Sequence, residues 1–219
     1  MFQGSGWFVL KGMHSKEEVN LAKEIVYQHN KANKQVTDKE THEKNHKTRD
    51  EAHNKYNGLV WALFNKGRVF EKMAQHPVIL NISNIIIGET SMISSLAANT
   101  VLPGQGGQLP HLDYPYYRAF YPSSNPNFMD TAPPLAVQFV TLLTDFTKEN
   151  GGTALRPHSH HTPTYPDDVE DFYANAVQVE GEAGDVVVFA GALQHCAMPN
   201  KSKMLRTGML QHMVPVYIK

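Results

Sequence analysis

The sequence holds a single cysteine, Cys196, in 219 residues, which excludes an internal disulfide and fits a reducing compartment. No stretch approaches the ~18 consecutive apolar residues that a membrane span requires. The start of the chain also lacks the charged stretch and apolar run of an export signal, so a soluble, cytoplasmic protein is expected, without a membrane partner. An excess of one charge is missing too. Twenty Lys and Arg face 21 Asp and Glu, a formal net charge of −1, which leaves no basic field to hold a nucleic acid. Internal repeats and low-complexity tracts are absent. The length suits one domain with a full hydrophobic core and leaves little room for a second. Histidine is the plentiful residue, with 12 copies, but most histidines belong on surfaces and loops, so their number assigns nothing.

The first ninety or so residues read as mainly helical. Residues 6–10 (GWFVL) suggest a short opening strand, and Ser15 with Glu18 forms an S-x-x-E capping box ahead of Val19, Ala22, Ile25 and Val26 at helical spacing. That predicts a helix over residues 15–30. Residues 31–57 are almost wholly polar and are expected to be an exposed excursion. Leu59, Leu63, Phe70 and Met73 recur with helical period, and Pro77 opens a further helix toward Gly88. Beyond Glu89 the texture changes to short strand-like runs at residues 92–102, 135–143, 152–155, 176–179, 185–189 and 207–218, separated by Gly, Pro and Asn. Such spacing predicts an antiparallel barrel or sandwich over residues 91–219, with the helices of residues 1–90 packed against it as one domain.

His111-Leu112-Asp113 sets two metal-ligating side chains at i and i+2, which an extended backbone turns to the same side. A third ligand is available in His195, expected on the turn that follows the apolar strand 185–189. Two imidazoles and a carboxylate on one face of an octahedral ion leave three positions open, an arrangement suited to ferrous iron, although zinc hydrolases use a similar set. Arg206, eleven residues after His195, discriminates between these. A fixed guanidinium there could pair with a carboxylate of a dicarboxylic cosubstrate, which a hydrolase does not need. A barrel that binds a metabolite without turnover is the third reading.

Taken in order, these pieces resemble the phytanoyl-CoA dioxygenase-like family of Fe(II)/2-oxoglutarate-dependent oxygenases. The resemblance rests on GWFVL at residues 6–10, Pro103-Gly104-Gln105 leading to His111-Leu112-Asp113, and LLTDFTKENGGT at residues 142–153. It continues through Arg156-Pro157-His158-Ser159-His160, Gly184-Asp185-Val186-Val187-Val188-Phe189, and His195 with Asn200, Ser202 and Arg206. It implies a double-stranded β-helix, or jelly-roll, core. It also implies Fe(II) on His111, Asp113 and His195, 2-oxoglutarate on Arg206 with further contacts from Thr153 and Asn99, and O₂ as oxidant. The implied activity is hydroxylation of a small-molecule substrate. Related halogenases lack the carboxylate ligand, so Asp113 argues against halogenation.

Other motifs receive plainer readings. His42-Glu43-Lys44-Asn45-His46 satisfies H-E-x-x-H, yet its flanks offer no apolar face, and His53 comes one residue too late for the extended zinc-protease pattern. A solvated charged segment accounts for it. His158, His160 and His161 read as a polar turn, with His158 standing where the family commonly has glycine. Tyr114, Tyr116, Tyr117, Phe120 and Tyr121 follow the H-x-D directly and either pack or line a substrate pocket, where Arg118 could meet an anionic group. Cys196 reads as a packing residue.

Overall fold

The computed structural model describes residues 3–37, 57–113, 135–161 and 164–218. Nine strands and four α-helices follow one another along the described chain. β1 (Trp7–Leu10), α1 (Lys16–Thr37) and β2 (Asn57–Val60) come first, then α2 (Arg68–Ala74), α3 (Pro77–Ile87) and β3 (Ser91–Val101). The rest are β4 (Val137–Leu142), β5 (Thr153–Leu155), α4 (Val169–Asn175), β6 (Val177–Gln178), β7 (Val186–Ala190), β8 (His195–Ala197) and β9 (Arg206–Pro215). The strands form a six-stranded sheet of order β1-β7-β4-β9-β3-β2 and a three-stranded sheet of order β6-β5-β8, with every pairing antiparallel. This is the jelly-roll fold.

Period-two alternation with both faces covered explains why β7 is apolar along its whole length and β4 is apolar but for Gln138 and Thr141. Val137 and Phe139 of β4, Val186 and Val188 of β7, and Met213 of β9 turn outward beneath Ile79 of α3. Val140, Leu142, Val187 and Phe189 turn inward against Phe146, Leu155 and Leu193. On the remaining outer surface Val19, Ala22 and Val26 of α1 pack with Phe70 and Met73 of α2 against Leu96 and Met209. Both faces of the large sheet are therefore covered, and a polar residue on an inward position stands out.

The capping box at the start of α1 is present. Ser15 N donates to Glu18 Oε2 at 3.0 Å, and Glu18 N donates to Ser15 Oγ at 3.2 Å. The helix runs seven residues past its expected end, to Thr37, because Lys, Ala and Gln are good helix formers even without an apolar face. The remainder of the expected excursion, including the H-E-x-x-H segment, lies outside the described residues. Residues 57–60 are a second correction. Rather than starting a helix at Leu59, they pair with Ala98–Val101 at the sheet edge. Leu63 then sits in a 3-10 turn, and Gly67 precedes the short α2 that carries Phe70 and Met73. The helical period of these four side chains arises from two separate elements that reach the same core.

The turn at residues 181–185 is tight, as its glycines predict. Gly184 has φ of 100°, and a β-carbon there would meet the His14 carbonyl oxygen at 2.7 Å. Asp185, 3% exposed, accepts from Lys11 Nζ at 2.7 Å and from the backbone N–H groups of Gly12 and Glu182 at 2.9 Å each. Desolvation pushes its pKa up, but the bonds from Lys11 and the two backbone donors outweigh that and hold it below the ordinary carboxylate value. A depressed folded-state pKa gives stability that is present above the unfolded value, about 3.9, and is lost as pH falls through the folded value. Asp185→Asn is expected to lower stability at pH 7 by on the order of 1–3 kcal/mol. The gap in urea midpoint between wild type and variant should narrow from pH 5 downward; a gap independent of pH would refute this account of the turn.

Candidate active site

His111 lies at the end of the segment that follows β3, and His195 opens β8, a strand rather than the turn expected from sequence. The two residues face each other as an isolated antiparallel bridge, with His111 N donating to His195 O at 2.9 Å and His195 N to His111 O at 3.0 Å. Being directly opposed, they set their rings 4.5 Å apart, centroid to centroid. Each ring is oriented from behind. His111 Nδ1 is 2.7 Å from Leu109 O, and His195 Nδ1 is 2.9 Å from Leu193 O. A carbonyl only accepts, so both Nδ1 atoms carry the hydrogen, and Nε2 of each ring is the atom left to face the cavity.

Those two Nε2 atoms converge on Asp113. His111 Nε2 lies 3.4 Å from Oδ1, and His195 Nε2 lies 3.4 Å from Oδ2. Desolvation in the cavity pushes the Asp113 pKa up, but the facing His195 and His111 rings outweigh it and hold the carboxyl well below the ordinary range. One ligand atom from each of the three side chains lies within 4.8 Å of the others, and among the described residues this is the group able to hold a metal ion. Ligands on one ion with bonds of ~2.1 Å stand roughly 3–3.4 Å apart, so the donor set fits a first-row divalent metal. Gln138 of β4, 6% exposed, adds a hydrogen bond from Nε2 to Asp113 Oδ2.

Arg206, Thr153 and Asn99 line the same cavity as His111, Asp113 and His195, together with Gln108, Gln138, Val140, Phe189, Ala197 and Leu210. The cavity thus lies between the inward faces of the two sheets. Arg206 is 2% exposed, donates from Nε to Gly151 O at 3.0 Å, and lies over the Phe146 ring at 4.7 Å. Its Nη2 has no hydrogen-bond partner among the described residues. Burial lowers its pKa to about 10, which still leaves it charged at neutral pH. A buried cation without a counter-charge is costly, and this one faces a cavity large enough to admit an anion. Gly151, at φ 84°, brings its backbone so near the Met198 carbonyl that a side chain would collide with it, and this close approach places the oxygen that holds Nε. Asn200 organises the loop before β9 by donating to Val101 O and Met204 O at 3.1 and 2.7 Å.

The histidines at residues 158–161 do not line this cavity. His158 adopts φ 64°, the left-handed conformation that favours glycine, and its ring stacks on His161 at 6.3 Å. Cys196 alternates with the cavity-lining His195 and Ala197, so it points away and packs with Ala154 and Phe172. Burial pushes its thiol up to about 12, which leaves no thiolate for nucleophilic chemistry. The aromatic segment after Asp113, Arg118 included, lies outside the described residues. Sequence reading missed Gln138 and Gln108. The first was visible as the lone amide in the apolar run at residues 135–143, and the second lies three residues before His111.

Three candidate metal ligands and a buried guanidinium thus share one jelly-roll cavity. The sequence model named "Phytanoyl-CoA dioxygenase (PhyH)" matches residues 2–208. The chain belongs to the phytanoyl-CoA dioxygenase family. Among curated family relatives, dioxygenase aneA of Aspergillus aculeatus is 31% identical over 152 residues, covering 68% of this chain and 49% of its own. Dioxygenase cdmD of Talaromyces verruculosus is 37% identical over 123 residues, 52% of this chain and 36% of its own. The Fe(II)/2-oxoglutarate-dependent dioxygenase nvfF of Aspergillus novofumigatus is 30% identical over 127 residues, 57% of this chain and 40% of its own. The chain therefore spans half or less of the length of these relatives. Among the described residues, no helix is long and apolar enough to cross a membrane.

Proposed function

We propose that this chain is an Fe(II)/2-oxoglutarate-dependent dioxygenase that hydroxylates a small-molecule metabolite and releases succinate and CO₂. His111, Asp113 and His195 would hold the iron, and Arg206 would pair with the distal carboxylate of 2-oxoglutarate, with Thr153 and Asn99 as further contacts. The observation that carries the reading is the buried Nη2 of Arg206, without a partner among the described residues, in the same cavity as the three candidate ligands. A zinc hydrolase with this triad has no use for such a cation. Family membership and the printed activity of nvfF point the same way.

Iron, when bound, supplies dioxygen activation coupled to oxidative decarboxylation of 2-oxoglutarate, and thereby the oxidation of a substrate C–H bond. The chain's own part is positioning. The carbonyls of Leu109 and Leu193 lock both imidazoles with Nε2 forward, so no ring has to reorient on loading. The guanidinium, tethered through Nε to Gly151, keeps its outer nitrogen for a carboxylate oxygen. Val140, Phe189 and Leu210 give the cavity apolar walls that displace water and fix the register between cosubstrate and substrate.

Succinate release is the direct assay. With iron(II), O₂ and a metabolite pool, release should require 2-oxoglutarate and rise when fractions containing the substrate are added. Turnover of a pool component that is indifferent to 2-oxoglutarate, restored by zinc and not by iron, would establish the hydrolase instead.

A further inference from the structure

Gln138 occupies the inward face of β4, where the other residues of the strand on that face, Val140 and Leu142, are apolar. Its amide orientation is not arbitrary. The group bonded to Asp113 Oδ2 is Nε2, because a ligating carboxylate oxygen only accepts. That fixes Oε1 on the other side. Oε1 is buried and has no hydrogen-bond partner among the described residues, on a residue that lines the candidate metal cavity. A buried carbonyl oxygen left without a donor is destabilising, and such a loss on a cavity wall points to a ligand.

The donor cannot be the proposed cosubstrate. At neutral pH 2-oxoglutarate carries two carboxylates and a ketone, all acceptors, and dioxygen has no hydrogen to give. Among the reactants, that leaves the oxidised substrate as the donor. Position on the sheet agrees with this. Along β9, Arg206 pairs with Val101, whereas the partner of Gln138 is His212, six residues further on and about 20 Å along the strand. His212 Nδ1 is itself held 2.6 Å from Ser94 Oγ, at the irregularity in β3 between Ile93 and Ser95. Gln138 thus stands at a polar end of the cavity, remote from the origin of Arg206, with the apolar Phe189 opposite it in register on β7.

We propose that Gln138 is a bifunctional residue of the site: its Nε2 holds the Asp113 carboxylate, and its Oε1 accepts a hydrogen bond from a hydroxyl or N–H of the substrate. The substrate class this selects is a largely apolar molecule that carries a hydrogen-bond donor near the carbon to be oxidised. The inference rests on the dioxygenase reading, and the test separates the two.

Cyclohexanol and methoxycyclohexane serve as probes, because they share a skeleton and differ in the donor. Protein loaded with cobalt(II) and 2-oxoglutarate is mixed with each probe, and paramagnetic relaxation of the probe protons is measured. The wild type should relax cyclohexanol several-fold more strongly than the ether. Gln138→Leu should abolish the difference and weaken cobalt binding by about tenfold or more, in line with lost support of a ligating carboxylate. Gln138→Glu keeps an acceptor and loses the donor, so it should retain a preference for the alcohol while still binding cobalt more weakly. Equal relaxation by both probes in the wild type, or a preference that survives in a cobalt-loaded Gln138→Leu protein, overturns the inference. If the wild type binds cobalt without any response to 2-oxoglutarate, the function itself fails, and the assignment of this acceptor falls with it.

Discussion

Asp113→Ala should reduce substrate-coupled succinate formation by at least about 10²-fold and weaken iron(II) binding by a comparable factor. Loss of an outer-sphere partner to a metal ligand already costs 10- to 100-fold, and Asp113 is proposed as a ligand itself. Its carboxylate is also the element that brings the site together, since each oxygen faces one imidazole at 3.4 Å. The fold should be largely indifferent to the change, because Asp113 belongs to none of the core clusters and follows the bridge residue His111. A variant with an unchanged urea midpoint and no coupled turnover is the expected outcome, read by denaturation and by succinate assay on one preparation. Full activity would remove Asp113 from the ligand set.

Arg206→Met should separate stability from binding in the opposite sense. The guanidinium is almost fully buried and lacks a counter-charge among the described residues, so an apolar side chain of similar length relieves a desolvation cost of several kcal/mol. Against that stands the lost bond to Gly151 O, roughly 1–3 kcal/mol. The variant without cosubstrate is therefore expected to unfold at an equal or higher urea concentration than wild type. Affinity for 2-oxoglutarate should fall by about 10²- to 10³-fold, the 3–4 kcal/mol typical of removing one partner of a buried ion pair. Added 2-oxoglutarate should raise the wild-type midpoint by mass action and leave the variant's unchanged at the same concentration. A variant that still gains stability from 2-oxoglutarate would show that the cosubstrate is held elsewhere.

The legible parts of this protein are those whose geometry is fixed over a few residues. H-x-D on extended backbone gives two side chains on one side whatever the rest of the fold does, and a buried strand announces itself as an apolar run, as at residues 186–190. His158 in place of glycine left the backbone of its turn open in the sequence, and the structure gives it φ of 64°, the left-handed conformation despite the cost to a histidine. Features decided by distant pairing were not legible. Residues 57–60 are a strand because β3 offers them an edge, and His195 lies on a three-residue strand because β5 pairs with it and His111 bridges to it. The helix α4 escaped notice for another reason: of its seven residues only Phe172 is buried, so there is no apolar period to detect, and Asp168 as its N-cap was the sole cue.

The site divides in the same way. Its charged members stand out because ionisable residues rarely recur in that order by accident, whereas Gln138 is a neutral amide whose importance appears only when Asp113 is seen beside it. The convergence of residues separated by about a hundred positions, such as Asn99 and Arg206 on the inner faces of β3 and β9, follows from strand pairing and not from any local signal.

The most direct measurement is an anaerobic absorption titration of the iron(II)-loaded protein with 2-oxoglutarate. The account predicts a weak metal-to-ligand charge-transfer band that grows to saturation, with a midpoint shifted to far higher 2-oxoglutarate in Arg206→Met. A protein that binds iron(II) and develops no such band, or one whose midpoint ignores Arg206, would contradict it.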